Sequence, residues 1–285
     1  MLAAQATIRR DVVGHFARQD VVESSGIVAS RKRPGVYWTM NDSGGKPEVY
    51  AFDISGRDLG AWMVPGATAA DWESLGLGPC APRSSSDCLY AGDTGDNSEV
   101  RPNRAIYRFT EPIVNGNNAP GWTGESGRAD KLAFVYPDGP HDTEAIYVAN
   151  SGTVWMVTKG RTKGFLLFRL DANLWGRSGT QTALAAGSLA LPTTSNELVT
   201  DAGLSADGSA LAVRTYGNLF VYRANPETGE PNQALGPAKC ELESLNERQG
   251  EGVGWHPNGQ WQVLTSEGAG GQISIIACPM PAPRR

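Results

Sequence analysis

Five short segments of the chain share one pattern, in which acidic or polar residues precede a small residue and then an aliphatic residue. They span residues 23–27, 71–75, 142–146, 200–204 and 249–253, and successive aliphatic positions lie 48 to 71 residues apart. If the repeated units surround one axis, carboxylates at the same repeat position converge. Converging carboxylates can hold a cation or share acid–base work.

Strand alternation divides these segments into two rings, because residues two apart in a strand face the same side. The residues two before each aliphatic position are Ser25, Glu73, Glu144, Ala202 and Glu251. The residues four before it are Glu23, Asp71, Asp142, Thr200 and Gln249. Three glutamates in one ring repel when all are ionised, and burying unpaired carboxylates is costly.

A bound cation removes this repulsion, and an all-oxygen ligand set suits Ca²⁺. We therefore predict a calcium site whose ligands are Ser25, Glu73, Glu144 and Glu251. The alternative is a water-filled channel without a metal, in which the pKa values of the carboxyl groups are raised.

A second group of polar residues lies where the second strand of each repeat is expected to end. The residues predicted to bind a ligand there are Asn41, Asp42, Asp93, Asp96, Asn97, Lys159, Arg214 and Glu267. The first, second and fifth repeats contribute acids, whereas the third and fourth contribute cations. This combination favours a small or anionic ligand. The alternative is that Lys159 and Arg214 pair with the acids in a stabilising network.

The ends of these second strands are expected to surround the mouth of the central channel. Three residues near this mouth are candidates for catalysis. Asp42 or Asp93 would position a water molecule, and His141 could act as a general base near neutral pH. A single histidine without a defined partner has a structural role as its alternative. The sequence contains no GxSxG elbow, HExxH helix or phosphate-binding P-loop.

The elements that must position these residues are strands. Each repeat continues with a turn, an apolar strand, a polar cluster and a third strand, and the chain is rich in turn residues, with 35 Gly and 18 Pro. Fourth strands are expected at residues 59–64, 131–136, 188–191 and 240–245. The sequence therefore predicts an all-β, five-bladed β-propeller over residues 1–285. Residues 7–17 are expected to supply the last strand and close the ring. A six-bladed ring is the alternative, because the longest interval could hide a degenerate blade.

The four cysteines lack the spacing of a zinc site and predict two disulfides, Cys80–Cys88 and Cys240–Cys278. Cys80 and Cys88 flank one hairpin loop, and the second pair would join the fourth and fifth blades. Disulfides form in oxidising compartments. Because the first residues do not form a signal peptide, we expect the mature form of a secreted or periplasmic protein.

Composition excludes two classes of partner. The 25 basic and 30 acidic residues give a net charge of −5, which argues against a nucleic-acid binder. No apolar run approaches the ~18 residues of a membrane helix, so membrane insertion is not expected. A hydrophobic fraction of 40% is enough for a folded core. We expect a monomer.

The ring order of Ser25, Glu73, Glu144, a small residue and Glu251 resembles the axial calcium ring of the soluble calcium-activated nucleotidases, the apyrase five-bladed propellers. The short motifs are also similar to those of the bacterial SdiA-regulated-protein-like propellers and the esterase-like phytases. The resemblance spans about residues 23–267 and is carried by short motifs. The fourth apyrase ring residue carries a hydroxyl group. Ala202 stands at that position here, so a backbone carbonyl, a water or Asp201 would have to replace this ligand.

Two functions of different classes follow from these observations. The first is calcium-dependent hydrolysis of a phosphoanhydride or phosphoester, with Lys159 and Arg214 binding phosphate. Against it, the third repeat reads Thr-Lys-Gly-Arg over residues 158–161, where apyrases carry paired arginines. The second is a non-catalytic propeller that binds a small molecule, a glycan or a protein. A glycosidase that pairs Asp42 with Glu267 is a third reading.

Overall fold

A computed structural model describes residues 8–42, 44–116, 118–192 and 197–281. Within these ranges the chain forms strands and three short 3₁₀ helices, and no helix is long and apolar enough to cross a membrane. The strands, in chain order, are β1 (Arg10–His15), β2 (Ser24–Ala29), β3 (Tyr37–Asn41), β4 (Glu48–Phe52), β5 (Asp58–Met63), β6 (Trp72–Pro79), β7 (Asp87–Asp93), β8 (Arg104–Thr110), β9 (Thr123–Glu125), β10 (Asp130–Val135), β11 (Thr143–Val148), β12 (Val154–Thr158), β13 (Leu166–Leu170), β14 (Gln181–Thr182), β15 (Leu184–Ser188), β16 (Val199–Leu204), β17 (Ala210–Thr215), β18 (Asn218–Arg223), β19 (Ala238–Glu241), β20 (Gly250–Trp255), β21 (Gln262–Ser266) and β22 (Gln272–Ile276). The 3₁₀ helices are Ala172–Leu174, Gln233–Leu235 and Glu243–Leu245.

The strands form five separate sheets, and each sheet is one blade of a propeller. From the axis outwards the blades run β2-β3-β4-β5, β6-β7-β8-β10, β11-β12-β13-β15, β16-β17-β18-β19 and β20-β21-β22-β1. The innermost strand of each blade contacts the innermost strands of both neighbouring blades, including β20 against β2. The ring is therefore closed with five blades, as the repeats predicted.

The N-terminal strand closes this ring. β1 pairs antiparallel with β22, from Arg10 opposite Ile276 to His15 opposite Gln272. The predicted segment of residues 7–17 was longer than the strand, and residue 7 lies outside the described residues. The last blade thus takes its outermost strand from the other end of the chain.

The long interval after residue 75 does not contain a sixth blade. Its additional length holds β9, which joins the outer edge of the first blade parallel to β5. A similar short strand in the third repeat, β14, pairs parallel with β10 of the second blade. Each insertion extends the preceding blade, because an outermost strand leaves a row of unpaired backbone groups for it to pair with.

Two of the expected fourth strands lie elsewhere. In the third blade the strand is β15, which ends at Ser188, whereas the sequence predicted 188–191. In the fourth blade β19 ends at Glu241, and a 3₁₀ helix follows over Glu243–Leu245, inside the predicted strand of 240–245. After Leu184, β15 consists of small residues, and most of the strand is exposed, so it lacks the apolar alternation that identifies a strand.

The core lies between the faces of adjacent blades and is rich in aromatic side chains. Trp38, Trp72 and Trp155 are among the largest fully buried residues. Burying such large rings removes apolar area from water and stabilises the packing of blade on blade. Trp38 also donates its Nε1–H to Glu111 at 2.9 Å, which satisfies the polar atom that burial removes from water.

Both predicted disulfides are confirmed. Cys80 and Cys88 are bonded across the β6–β7 loop, with their Cα atoms 4.9 Å apart. Cys240 of β19 is bonded to Cys278 after β22, with a Cα separation of 6.0 Å. The second bridge joins the fourth and fifth blades beside the strand that closes the ring.

Candidate functional site

A β-bulge near the start of every innermost strand shapes one end of the central channel. The pairing registers shift between Ser24 and Gly26, Trp72 and Ser74, Thr143 and Ala145, Val199 and Asp201, and Gly250 and Val253. A bulge adds an unpaired residue and redirects its side chain. The residues within the five bulges include Ser25, Glu73, Glu144, Thr200 and Glu251.

The fourth position of this ring is Thr200 and not Ala202, so the sequence-based assignment was wrong at this blade. Ala202 pairs with Val213 two residues after the bulged Thr200, as Ile27 pairs with Thr39 two residues after the bulged Ser25. The aliphatic position of the fourth repeat is therefore filled by Ala202 itself, and counting from Leu204 shifted the ring by two residues. The ring thus has a hydroxyl residue at its fourth position.

The two ring hydroxyls make equivalent hydrogen bonds to the next blade. Ser25 Oγ donates to the carbonyl oxygen of Glu73 at 2.6 Å, and Thr200 Oγ1 donates to that of Glu251 at 2.9 Å. Because each hydroxyl hydrogen is used in this bond, the oxygen lone pairs stay available as ligands.

Acidic side chains of the first two blades meet at this end of the channel. One carboxylate oxygen each from Asp42, Asp71 and Glu73 lie within 4.8 Å of one another. Gly95 leaves room for them, because a Cβ atom there would lie 2.1 Å from Glu73 Oε1 and 2.6 Å from Asp71 Oδ2. Burial, followed by repulsion from Glu144 and Asp42, raises the pKa of Glu73 well above its ordinary value.

The third and fifth blades add two buried glutamates. Glu144 Oε2 accepts a bond of 2.8 Å from Lys159 Nζ, and Glu251 Oε1 accepts one of 2.8 Å from Gln249 Nε2. Glu144 Oε1 and Glu251 Oε2 are buried without a hydrogen-bond partner among the residues that the structure describes. Burial raises the pKa of both carboxyl groups, although Lys159 opposes this effect.

Glu267 lies at the rim of the same cluster and is half-buried. Burial, together with the charges of Glu251 and Asp42, raises its pKa to about 7. A carboxyl group with this pKa exchanges protons near neutral pH, which is a property of general acids and bases.

Arg214 does not face the mouth, contrary to its predicted role in ligand binding. Its side chain is fully buried and donates to the carbonyl oxygens of Gly252 and Thr265 at 2.9 and 3.0 Å. The guanidinium group also pairs with the carboxylate of Glu247. Its donors hold the fourth blade to the fifth and are not directed at a ligand.

Asp93 and Asp96 are likewise buried in structural contacts. Asp93 Oδ1 accepts the backbone N–H of Asp71 at 3.1 Å and a bond of 2.7 Å from Arg101. Asp96 pairs with Arg104, whose side chain is almost fully buried. Both carboxylates shape the loop after β7, so the geometry favours neither the catalytic role predicted for Asp93 nor a ligand contact at Asp96.

The two asparagines predicted at the mouth differ in their environment. Asn41 Oδ1 accepts the backbone N–H groups of Val22 and Glu23, both at 3.1 Å, and its Nδ2 donates to Asp20. Asn41 thus fixes the segment that leads into β2. Asn97 is exposed on the loop after β7.

His141 has the surroundings of a structural residue. It is 1% exposed, and its ring lies 5.0 Å from the ring of Tyr136 and 5.1 Å from that of Phe168. Its Nε2 atom is 2.9 Å from a carboxylate oxygen of Asp138, and the Arg104 side chain donates to its backbone carbonyl. These contacts favour the structural alternative over a general base.

Asp201, which the sequence analysis considered only as a substitute ligand at the fourth ring position, instead bonds to two other blades. Its carboxylate is fully buried, accepts a bond of 2.5 Å from Ser74 Oγ and another of 2.8 Å from the backbone N–H of Val253. One side chain of the fourth blade therefore reaches the second and fifth blades. Burial raises the pKa of Asp201 well above its ordinary value. These bonds link three blades one residue beyond the bulges.

The fold and this site define a five-bladed β-propeller with a cluster of carboxylates at one end of its channel. No family model and no curated protein matches the chain. Among solved structures it is similar to the PQQ-bound form of an aldose sugar dehydrogenase from Streptomyces coelicolor, with a TM-score of 0.58 and 10% identity over 97% of this chain and 100% of that one. It is also similar to the glutaminyl cyclase of Myxococcus xanthus, with a TM-score of 0.53 and 10% identity over 95% of this chain and 98% of that one. These similarities show the propeller fold.

Proposed function

We propose that the protein is an exported calcium-binding β-propeller whose acidic channel end binds a small anionic ligand. The observation that carries this proposal is the pair of buried oxygens, Glu144 Oε1 and Glu251 Oε2, which lack hydrogen-bond partners within the described chain. Buried carboxylate oxygens are normally hydrogen-bonded, coordinated to a metal or protonated.

The donor set suits Ca²⁺. Ser25 and Thr200 offer hydroxyl oxygens, and Glu73, Glu144 and Glu251 offer carboxylate oxygens. Ca²⁺ takes six to eight oxygen ligands in flexible geometry, whereas Mg²⁺ requires near-ideal octahedral coordination. Lys159 supplies only one positive charge against three glutamates, so a divalent cation would reduce the remaining repulsion. These five residues would hold the ion.

Calcium titration of the purified protein, after treatment with EDTA, tests the metal site. We expect calorimetric binding and a higher melting temperature, because a ligand that binds only the folded state stabilises it by about 4 kcal/mol at a thousandfold excess over Kd. Glu144→Gln should weaken binding at least tenfold. The control is Glu125→Gln on β9, which removes an equal charge at an exposed position. Absence of binding, or equal affinity of both variants, would refute the site.

The proposed ligand is anionic because a cation held by protein carboxylates retains open positions for ligand oxygens. When bound, Ca²⁺ polarises a phosphoryl oxygen and stabilises the charge that develops on it. Near it, the Lys159 ammonium group can pair with a phosphate oxygen, and Glu267, with a pKa of about 7, can accept a proton from water. Calcium-dependent phosphoester or phosphoanhydride hydrolysis is thus the reaction to test.

A non-catalytic binding propeller is the second candidate. It is favoured by the contacts of Asp93 and His141, since two of the three predicted catalytic residues are held in buried structural interactions. An assay with nucleotides and phosphomonoesters, in calcium and in EDTA, distinguishes the candidates. Hydrolysis that requires calcium and is lost in Glu267→Gln supports the enzyme. Calcium-dependent binding without turnover supports the binding module.

Export is part of the proposal and is supported by the two disulfides. Thiol quantification in protein purified from its native host tests it. Two intact disulfides are expected, and four free thiols would indicate a reducing compartment.

A further inference from the structure

The end of the channel opposite the carboxylates holds an apolar cavity of about 210 Å³. All five innermost strands line it, with Ile27, Leu75, Ile146, Ala202 and Trp255 each contributed by a different blade. These residues follow the bulges along their strands, and the bonds of Asp201 to Ser74 and Val253 separate the cavity from the acidic ring. The cavity is therefore a second compartment of the channel.

The walls offer few polar groups to water or to a hydrated ion. Leu77, Val148 and Leu204 continue the aliphatic lining towards the rim. The indole N–H of Trp255 is already bonded to the carbonyl oxygen of Gly203 at 2.9 Å. An apolar cavity of this kind binds apolar molecules in preference to water. Its size corresponds to a ligand of on the order of ten non-hydrogen atoms, since an apolar cavity of roughly 150 Å³ accommodates benzene.

Two nitrogen-bearing side chains line the cavity together with the aliphatic residues. Arg31 lies in the β2–β3 loop, and its Nη1 is 3.7 Å from Asp87 Oδ1, which is longer than a hydrogen bond. Its side chain is only 22% exposed, and burial lowers its pKa because Asp87 compensates the lost hydration only in part. A further anion beside Arg31 would be stabilised by this incompletely paired cation.

His256 offers a hydrogen-bond donor in the lining of the same cavity. Its Nδ1 accepts the backbone N–H of Asn258 at 3.1 Å, so the neutral ring carries its proton on Nε2. The Arg31 loop is itself fixed, because the Arg33 backbone N–H donates to Ser30 Oγ at 2.9 Å. The cavity thus combines aliphatic walls with a cation and a hydrogen-bond donor on ordered segments.

We propose that this cavity binds a small molecule with an apolar body and one carboxylate head group, in a site separate from the proposed metal centre. The body lies among Ile27, Leu75 and Ile146. The head group pairs with the guanidinium of Arg31 and accepts a hydrogen bond from His256. Binding of this ligand is independent of calcium, because the Asp201 contacts lie between the two sites.

The test uses octanoate as the probe and 1-octanol as its uncharged counterpart, in calorimetric titrations in EDTA. EDTA makes the outcome independent of the metal proposal. The expected result is saturable binding of one octanoate, at least tenfold tighter than 1-octanol. A tenfold difference is the effect expected from one charge-assisted hydrogen bond of about 1.4 kcal/mol.

Three variants locate the site. Arg31→Gln should weaken octanoate about tenfold and leave 1-octanol unchanged, whereas Ala206→Trp, at an exposed position on the cavity wall, should block both probes. The matched control is Arg33→Gln, which removes a cation from the same loop outside the cavity lining. Failure of octanoate to bind at millimolar concentration, equal binding of both probes, or binding that Arg31→Gln and Ala206→Trp leave unchanged would overturn the proposal.

Discussion

Ser25 and Thr200 occupy the same place in the first and fourth blades, although their sequence surroundings differ. Each lies in the bulge of an innermost strand and donates its hydroxyl hydrogen to the carbonyl oxygen of the ring glutamate in the next blade. The ring consequently has hydroxyl residues in its first and fourth blades and carboxylates in its second, third and fifth blades.

Replacing Thr200 by valine tests this equivalence. Thr200→Val keeps the branched shape but removes the hydroxyl oxygen, so we expect calcium affinity to fall about tenfold with little change in the fold. Ala202→Ser is the comparison, and it should leave calcium affinity unchanged because Ala202 follows the bulge. Calorimetric titration of both variants with CaCl₂ provides the measurement. If the Ala202→Ser variant bound calcium more tightly, position 202 would belong to the ring, as the sequence predicted.

Arg214 is expected to stabilise the fold and not to hold a ligand. Arg214→Met should reduce the free energy of unfolding by about 3–5 kcal/mol, because it leaves the Glu247 carboxylate and two backbone carbonyls unpaired in the interior. Arg57→Met, which breaks the exposed pair with Asp53, should cost at most about 1 kcal/mol. Urea unfolding measures both. If the variant kept its stability but lost ligand binding, Arg214 would have the ligand-binding role that the sequence predicted.

At the scale of elements, the closure of the ring depends on β1 and on the bridge beside it. β1 covers the outer edge of β22, so the fifth blade has four strands although its own repeat supplies only three of them. The Cys240–Cys278 bridge ties the fourth blade to this region. Strand pairing and the disulfide thus stabilise the same region, where the fifth blade closes the ring.

The two disulfides should contribute unequally to stability. The chain between Cys240 and Cys278 spans 38 residues and that between Cys80 and Cys88 spans 8, so loop-closure entropy gives roughly 4 and roughly 2.5 kcal/mol, respectively. We therefore expect the double variant Cys240→Ser/Cys278→Ser to melt at a lower temperature than the double variant Cys80→Ser/Cys88→Ser. Scanning calorimetry of both variants measures the difference. A lower melting temperature for the Cys80/Cys88 variant would contradict the entropic account.

At the scale of the whole molecule, stability should depend on pH through the acidic channel end. The pKa of Glu267 rises from its ordinary value of 4.5 to about 7, and burial also raises the pKa values of Glu73, Glu144 and Glu251. The folded protein therefore holds these protons more tightly than the unfolded chain. This stabilisation is complete below about pH 4.5 and is lost as pH rises through about 7 and beyond.

We expect the melting temperature in EDTA to fall between pH 5 and pH 8. Calcium should oppose this fall, because the ion binds ionised carboxylates and its affinity increases as they lose protons. In EDTA, Glu267→Gln should make the melting temperature depend less on pH up to about pH 7. Melting curves at each pH, with and without calcium, provide the measurement. A metal-free protein that becomes more stable over this range would show that the cluster does not carry the raised pKa values.

The repeated sequence pattern and the four cysteines were sufficient to predict the five blades, the closing strand and both disulfides. The prediction succeeded because each of these features follows from a local pattern or from its repetition. It failed at the fourth strands of two blades, since β15 lacks apolar alternation and 240–245 divides between a strand and a 3₁₀ helix.

Only the tertiary structure decided which side chains share the axis. The bulge that brings Thr200 into the ring depends on the register against β17, and simple alternation cannot reveal it. Contacts between blades also determine that Arg214 meets Glu247 and that Asp201 meets Ser74, 127 residues away in the chain. A sequence motif specifies which chemical groups each blade supplies. Their partners, their burial and the apolar cavity beyond Asp201 arise when five separate sheets pack around one axis.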